Sequence, residues 1–273
     1  MKRILTVQDL SCLGKCSLTV ALPILSAMGV ETSVLPTAVL STHTAFSGPV
    51  VHDLSESHGA IVDHWQKIGA EFDGVYTGYM GSGQQVDTAL MLAQRFAPGM
   101  LFVDPAMADH GKCYSGIDSR CIDKMKTLCA MADVIVPNLT EACLLTDTPY
   151  PQSYDAEAIK ALLQKLTDRG CKVAMITGVC LEEGTVGVMG LDRTTGEYVF
   201  YSRQQLPESY HGTGDAFSAV CAGALLQGKT LQEAATLAAE FTAQCICATK
   251  EEKRDKRFGI CFEKAIPWLI RKL

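Results

Sequence analysis

The chain has 273 residues, 48% of them hydrophobic, which is enough to bury a sizeable core in one domain with an appendage or in two small domains. Its net charge of −6 argues against nucleic acid or a membrane surface as the main partner, because both are polyanionic. No apolar run approaches the roughly 20 residues of a membrane span. No basic-then-apolar leader opens the chain, so we expect a cytoplasmic protein.

The twelve cysteines follow neither a disulfide framework nor the pattern of a zinc site. Cys12 and Cys16 are four residues apart, but no second pair with metal-ligand spacing completes a set of four ligands. Cys143, Cys171 and Cys221 have apolar neighbours, which predicts that they are small buried side chains. These features predict a reduced protein with free thiols.

Short apolar runs alternate with segments of helical periodicity along the first two thirds of the chain. Strands are predicted for residues 3–9, 32–40, 74–79, 100–104, 133–138 and 172–177. Helices are predicted between them for residues 17–29, 60–70, 86–97, 122–132 and 156–170. This alternation predicts an α/β fold with a mainly parallel sheet and helices on both faces. In such folds the ligand binds at the carboxyl ends of the strands.

The pattern changes in the last third of the chain. Residues 184–192 and 197–206 are predicted to form a β-hairpin around the turn Arg193–Gly196. The charges of residues 250–257 are mixed in sign, which indicates a solvated loop rather than a binding patch. After the hairpin only helices are predicted, over residues 214–227, about 230–247 and 262–272.

The segment YHGTGDAF leads into the first helix after the hairpin. Gly212, Thr213 and Gly214 would leave backbone N–H groups accessible at a helix N-terminus, where they can receive the charge of a phosphoryl group in transfer. Asp215 would then accept the proton of an attacking hydroxyl. The alternative is that Asp215 is only the N-cap of the helix and that the glycines form a tight turn. No Lys-Ser or Lys-Thr pair follows, so the segment is not a P-loop.

Polar residues and a glycine also follow three of the predicted strands: Asp104, Asp109, Asn138, Glu141, Thr177 and Gly178. Because the carboxyl ends of parallel strands meet at one edge, Asp104, Asp109, Glu141 and Asp215 are expected to crowd together. Crowded carboxylates raise one another's pKa, and a divalent cation, which phosphoryl transfer requires, would relieve this. The alternatives are that Asp-Pro marks a turn and that Asn-x-x-Glu marks a helix start.

Together, DPAMAD, PNLTE and GTGD resemble the ribokinase-like superfamily, in particular its vitamin-kinase branch of pyridoxal/pyridoxamine kinases and hydroxymethylpyrimidine kinases. The resemblance covers essentially the whole chain. VLSTHTAFSG (39–48) and YTGYMGS (76–82) are similar to pyridoxal kinase signatures. The resemblance implies a three-layer α/β/α sandwich with a mainly parallel central sheet. It also implies a single kinase domain over residues 1–273. Because a site for phosphoryl transfer must exclude water, we expect the hairpin and the loop after it, about 184–211, to form a small mobile cover over the nucleotide.

Site residues are implied by the same resemblance. The catalytic base is Asp215, and the anion hole is Gly212, Thr213 and Gly214. The metal region is Asp104 and Glu141. The expected ATP-binding residues are Asp109, Tyr114, Asn138, Glu141, Thr177 and Gly178. The expected substrate-binding residues are Asp9, His43, Thr44 and Tyr79.

The resemblance implies an ATP-dependent kinase that phosphorylates the 5′-hydroxymethyl group of pyridoxal, pyridoxamine or pyridoxine. Mg²⁺ is the implied cofactor, a monovalent cation such as K⁺ is allowed, and a homodimer is expected. The chain departs from the family pattern at Asp9-Leu10, where pyridoxal kinases usually carry Ser-His, and its Gly-Thr-Gly turn is as in hydroxymethylpyrimidine kinases. A hydroxymethylpyrimidine kinase is therefore one alternative. A non-catalytic vitamer-binding protein is the other, although a pure binder would not need Asp215 as a base.

Overall fold

The apolar runs of the sequence form the strands of the computed structural model, which describes residues 1–252 and 255–273. The strands are β1 (Arg3–Ser11), β2 (Glu31–Leu40), β3 (Val51–Asp53), β4 (Gly74–Thr77), β5 (Met100–Val103), β6 (Ala108–Asp109), β7 (Lys112–Cys113), β8 (Val134–Ile135), β9 (Val173–Val179), β10 (Thr185–Asp192) and β11 (Glu197–Gln204). The helices are α1 (Leu18–Ala27), α2 (Ser55–Lys67), α3 (Gly83–Phe96), α4 (Ser119–Met131), α5 (Leu139–Leu145), α6 (Ala156–Asp168), α7 (Thr213–Leu226), α8 (Leu231–Glu252) and α9 (Phe262–Ile270).

The chain divides into two units. Unit 1 comprises Met1–Gly78 and Leu206–Leu273, and unit 2 comprises Tyr79–Gln205. In unit 1 the strand order is β4, β1, β2, β3, with β1 parallel to β2 and β4, and β3 antiparallel to β2. Ile4, Leu5 and Val7 of β1 are fully buried, as expected for a strand inside a parallel sheet. The buried residues of β1 therefore anchor the strand in the core, and Asp9 lies near its carboxyl end.

In unit 2 the strand order is β5, β8, β9, β10, β11. The first three strands are parallel, and β10 is antiparallel to both of its neighbours. The predicted mainly parallel α/β arrangement is confirmed. The hairpin prediction is also confirmed, since β10 and β11 pair from Thr185–Gln204 to Asp192–Glu197 around a turn in which Gly196 has φ 74°. Because β10 also pairs with β9, the hairpin extends the sheet.

Some predicted bounds were wrong. The strand predicted at 133–138 is only Val134–Ile135, because Pro137 has no N–H to continue the ladder and Asn138 begins α5. The edge strand β3 and the two-residue pair β6–β7 had no prediction, and of α5 only its start at Asn138 was considered, as an alternative. The final helices appear where predicted, and α8 extends further than predicted, to Glu252.

The predicted solvated loop 250–257 begins inside α8, and its residues 253–254 lie outside the described residues. Asp255, Lys256 and Arg257 are exposed, as predicted for a solvated segment. Lys256–Phe258 form a short 3-10 turn that ends at Gly259, with φ 78°.

Within residues 1–252 and 255–273, no helix combines the length and apolar character that crossing a bilayer requires.

All twelve cysteines are free thiols, and seven of them are buried. The predicted burial of Cys143, Cys171 and Cys221 is confirmed.

Candidate active site

The N-terminus of α7 in unit 1 is built on glycine. Gly212, the residue before the helix, has φ 85°, and a Cβ added there would lie 2.7 Å from the carbonyl oxygen of Lys15. Both the left-handed backbone and the close approach require glycine. No side chain caps the helix. Asp215 is the third residue of α7, so the alternative that it is the N-cap is wrong.

The predicted anion hole is the first turn of this helix. By helix geometry the N–H groups of Thr213 and Gly214 have no intrahelical acceptor. A Cβ added at Gly214 would meet no atom within 4 Å, so open space adjoins the backbone there. The Thr213 hydroxyl donates to the carbonyl of Tyr210 at 3.1 Å. These amides and the positive end of the helix dipole can therefore receive an anion.

Asp9, at the end of β1, is only 3% exposed. Its Oδ2 accepts a hydrogen bond from the Ser11 hydroxyl at 3.1 Å. Burial raises the pKa of Asp9, and hydrogen bonds from Ser17 and Ser11 oppose that rise. Ser17 is itself strained, with φ 49° immediately before α1. Asp9 is thus embedded among hydroxyl groups of its own loop.

Cys16 lies near both candidate site acids of unit 1, Asp9 and Asp215. Its thiol donates to the Ser11 hydroxyl at 3.4 Å. Burial raises the pKa of the Cys16 thiol, and the negative charges of Asp215 and Asp9 raise it further. Both acids are therefore near enough to Cys16 for their charges to act on its thiol. Sequence reasoning did not find Ser11, Cys16 or Ser17, because isolated Ser and Cys residues carry no spacing signal.

His43 is buried, with 5% exposure, and both of its ring nitrogens are engaged. The Nδ1 atom accepts from the N–H of Ala45 at 3.2 Å, so Nε2 carries the proton and donates to the carbonyl of Arg257 at 2.6 Å. Burial lowers the pKa of His43, which keeps the ring neutral. The adjacent Thr44 is exposed. Of these two predicted substrate residues, His43 is therefore fixed by hydrogen bonds within the protein, whereas Thr44 is accessible to solvent.

In unit 2, Glu141 is held by the loop that follows β5. Its Oε1 accepts from the N–H groups of Met107 and Ala108 at 2.8 and 3.3 Å, and its Oε2 accepts from Asn138 N–H at 2.9 Å. The Asn138 side chain accepts from Glu141 N–H at 3.0 Å, which completes a capping box. The predicted helix-start role of Asn-x-x-Glu is thus confirmed, and it also fixes the glutamate in the site.

Glu141 and Asp104 form the acidic pair predicted for the metal region. Burial raises the pKa of Glu141, and the nearby charge of Asp104 raises it further. Asp104 is 8% exposed, and its Oδ1 accepts from Ala106 N–H at 3.2 Å. A divalent cation would offset the charge of this pair. Over residues 1–252 and 255–273, however, no three or more His, Cys, Asp or Glu side chains are grouped to hold a metal ion, so the expected gathering of four carboxylates is not present as such a group.

Asn138 and Thr177 are brought together at neighbouring strand ends. They form an isolated parallel bridge, and the N–H of Thr177 donates to the carbonyl of Pro137 at 3.0 Å. Gly178 follows with φ 71°, and a Cβ added there would meet no atom within 4 Å. These three predicted nucleotide residues therefore share one accessible edge of unit 2.

Asp109, Tyr114 and Tyr79 lie around the β6–β7 pair. Asp109 is exposed, and its Oδ1 accepts from the N–H of His110 at 2.8 Å. Tyr114 is 40% exposed, and its ring centre lies 6.4 Å from that of Tyr79. Tyr79, predicted to bind substrate, is thus a neighbour of Tyr114, predicted to bind ATP.

Comparison with known proteins gives consistent matches over the chain. The sequence profile of the phosphomethylpyrimidine kinase family matches residues 26–258. The crystal structure of a candidate phosphomethylpyrimidine kinase from Bacteroides thetaiotaomicron, solved with pyridoxal, has a TM-score of 0.94 and 39% identity, covering 98% of this chain and 95% of that one.

Two pyridoxal kinases are also similar. The structure of the enzyme from Lactobacillus plantarum has a TM-score of 0.93 and 33% identity, covering 99% of this chain and 97% of that one. The enzyme of Deinococcus radiodurans is 27% identical over 253 residues, which cover 86% of this chain and 83% of the relative. The structural matches confirm the α/β fold class predicted from the sequence.

Proposed function

Because the chain belongs to the phosphomethylpyrimidine kinase family, within the ribokinase-like fold, we propose that it phosphorylates the 5′-hydroxymethyl group of pyridoxal, pyridoxamine or pyridoxine with ATP. The observation that carries this proposal is the start of α7. There Asp215, which is the third residue of the helix and not its N-cap, follows the amides of Thr213 and Gly214, and open space adjoins the backbone at Gly214. The relative crystallised with pyridoxal supports a vitamin B6 substrate.

Asp215 is the proposed general base. It accepts the proton of the substrate hydroxymethyl group as that oxygen forms a bond to the γ-phosphorus of ATP. The bond from the γ-phosphorus to its bridging oxygen breaks, and ADP leaves with the electron pair. The N–H groups of Thr213 and Gly214 hydrogen-bond to the phosphoryl oxygens while these carry charge.

Mg²⁺ is the proposed cofactor, and Asp104 and Glu141 are the proposed residues of its region. When bound, it neutralises charge on the phosphates of ATP. Glu141 already accepts three backbone hydrogen bonds, so we propose that it acts on the cation through water, a contact that suits an ion which keeps several of its waters. Asp104 supplies the second carboxylate.

The nucleotide is proposed to contact the edge formed by Asn138, Thr177 and Gly178. Their adjacency and the open space at Gly178 support this. Asp109 and Tyr114 remain proposed ATP-binding residues on the strength of the resemblance, and both are exposed.

The vitamer is proposed to contact Asp9, Thr44 and Tyr79. The charges of Asp9 and Asp215 both raise the pKa of the Cys16 thiol, which supports a substrate position near the base. An Asp9 carboxylate can accept a hydrogen bond from a protonated ring nitrogen or an amino substituent. For His43, whose two ring nitrogens are engaged, any contact with the vitamer is through the carbon edge or face of the ring.

A second candidate is a hydroxymethylpyrimidine kinase. The matching family profile is that of a phosphomethylpyrimidine kinase, which acts on the same kind of ring, and by the resemblance the Gly212-Thr213-Gly214 turn is as in hydroxymethylpyrimidine kinases. Both candidates use the same chemistry on a hydroxymethyl group. They differ only in the ring that the site accepts.

The test is to incubate the purified protein with ATP and Mg²⁺ and with each of pyridoxal, pyridoxamine, pyridoxine and hydroxymethylpyrimidine, following ADP release and product mass. We expect a 5′-phosphate from at least one B6 vitamer. Turnover of hydroxymethylpyrimidine alone would establish the second candidate. Binding of a vitamer without ADP release beyond the background would instead indicate a non-catalytic binder.

The resemblance also leads us to propose a homodimer and a single functional domain with a cover at about 184–211. Light scattering of the protein in solution tests the dimer. Titration of the assay with K⁺ at constant ionic strength tests whether a monovalent cation is needed.

A further inference from the structure

A continuous set of contacts in unit 1 runs from His43 to Gly212. We propose that His43 is a positioning residue, which through the carbonyl of Arg257 fixes the turn 257–260 and thereby the backbone at the start of α7. This inference rests on the proposed function, because it is phosphoryl transfer that makes the start of α7 important. It assigns His43 a role other than contact with the vitamer ring.

The first link is the His43 ring itself. Its Nε2–H donates to the carbonyl of Arg257 at 2.6 Å, and its Nδ1 is held by Ala45 N–H. A Cβ added at Gly14 would lie 2.3 Å from Cδ2 of the ring, so only glycine allows the ring this position. The ring of His211 lies 5.0 Å away between centres. The donor atom is thus held both by its hydrogen bond and by packing.

The second link joins the turn to His211. Gly259 has φ 78°, and a Cβ added there would lie 2.7 Å from the Lys15 carbonyl oxygen and 3.2 Å from the His211 carbonyl oxygen. The N–H of Ile260 donates to that same His211 carbonyl at 3.1 Å. The turn that His43 holds is therefore in direct backbone contact with the residue before Gly212.

The third link reaches the helix start. A Cβ added at Gly212 would lie 2.7 Å from the Lys15 carbonyl oxygen and 3.4 Å from Cγ1 of Ile260. The Lys15 carbonyl thus touches both Gly212 and Gly259. Because close-packed backbone has no room to absorb a shift, a displaced turn must displace Gly212 and the amides that follow it.

Kinetics separate the two roles of His43. A ligand of the vitamer ring contributes to binding in the ground state and the transition state alike, so its loss raises KM for the vitamer. Amides at the start of α7 interact most strongly with charge that develops during transfer, so misplacing them lowers kcat and largely spares that KM.

The experiment compares His43→Phe with His43→Gln. Phe keeps the ring but has no N–H, and we expect it to lower kcat by about ten- to a hundredfold, with KM for the vitamer within about twofold of wild type. Gln can place an amide N–H near the position of Nε2, and we expect it to recover most of the lost kcat. The matched control is His64→Phe on the exposed face of α2, which should retain wild-type kcat.

Amide hydrogen exchange provides a readout that needs no activity. With neither nucleotide nor vitamer present, His43→Phe should exchange faster than wild type over residues 211–216 and 258–260, and His43→Gln should not. A circular dichroism melt shows whether each variant is folded. If His43→Phe does not fold, the kinetics and exchange of His43→Gln alone decide whether the N–H donor fixes the start of α7.

Two results would overturn the inference. One is a raised vitamer KM with unchanged kcat and exchange in His43→Phe, which would make His43 a substrate ligand. The other is an equal loss in the Phe and Gln variants, which would mean that the N–H donor does not matter. If wild type proves inactive on every alcohol, the proposed function fails, while the exchange comparison still tests the link from His43 to α7.

Discussion

Asp215 is the third residue of α7 and not its N-cap, so its replacement by Asn should affect chemistry more than the helix. We expect Asp215→Asn to lower kcat by roughly two to four orders of magnitude, the scale of a lost general base. The free energy of unfolding should change by no more than about 0.5 kcal/mol. Steady-state kinetics and denaturant unfolding measure both. Turnover at the wild-type rate would show that Asp215 is not the base.

Asp9 should weaken the fold while it serves the site. Burial raises its pKa above the ordinary 3.8, so its charged form is disfavoured in the folded state. Its contribution therefore becomes less favourable as pH rises above that value. Asp9→Asn keeps an oxygen for the Ser11 hydroxyl and removes the charge, so we expect the free energy of unfolding at neutral pH to rise. A loss of stability in denaturant unfolding would contradict this.

His43 and His211 predict how stability depends on pH. Burial lowers the pKa of each below the ordinary 6.5, and repulsion from a protonated His43 lowers the pKa of His211 further. A base with a lowered folded pKa contributes fully above its unfolded pKa and loses that contribution as pH falls below it. We expect the free energy of unfolding to fall as pH drops below about 6.5. The fall should be shallower in His43→Gln, and an unchanged slope would count against a neutral buried His43.

At this scale, sequence reasoning succeeded where residues are consecutive. The glycines around Thr213 and the position of Asp215 just inside a helix are visible in the letters themselves. The hydroxyl groups around Asp9 and the contact of His43 with Arg257 are not, because they join residues that only the tertiary fold brings together. The sequence therefore predicted the acids of the candidate site, but not the hydrogen bonds around Asp9 and His43.

Among the elements, α7 and the hairpin were predictable and α5 was not. The hairpin has eight residues in each strand around a short turn that contains Gly196, which is a strong local signal. Helix α5 has only seven residues, too few to show helical periodicity, and just its capping box is visible in sequence. The pair β6–β7 has two residues in each strand and no pattern at all.

Only part of the predicted cover, residues 184–211, is free of the central sheet. Strand β10 is hydrogen-bonded to both β9 and β11, so its amides are already protected. Residues 206–210 have no regular structure and, apart from Pro207, have amides that a bound nucleotide could shield. We expect hydrogen exchange over these residues to slow on adding ATP with Mg²⁺, while β10 is unchanged. Equal exchange with and without nucleotide would contradict a cover.

Over the whole molecule, the distribution of thiols predicts their reactivity. Cys12, Cys113, Cys180 and Cys247 are exposed, whereas seven others are buried. Burial raises the thiol pKa of Cys221, which leaves little reactive thiolate. We expect an alkylating reagent to label about four cysteines quickly in the folded protein and all twelve after unfolding without reductant, as counted by intact mass. Fewer than twelve after unfolding would reveal disulfides.

Unit 1 is assembled from two segments, Met1–Gly78 and Leu206–Leu273, that unit 2 separates along the chain. On the ribosome, Tyr79–Gln205 is therefore complete before the last elements of unit 1 have been made. Apolar residues of the first segment therefore stay exposed until α7, α8 and α9 have been made. Exposed apolar surface makes a nascent chain prone to aggregation, which chaperones prevent. Asp215 belongs to the second segment, so a nascent chain acquires the proposed base only after all of unit 2 has been made.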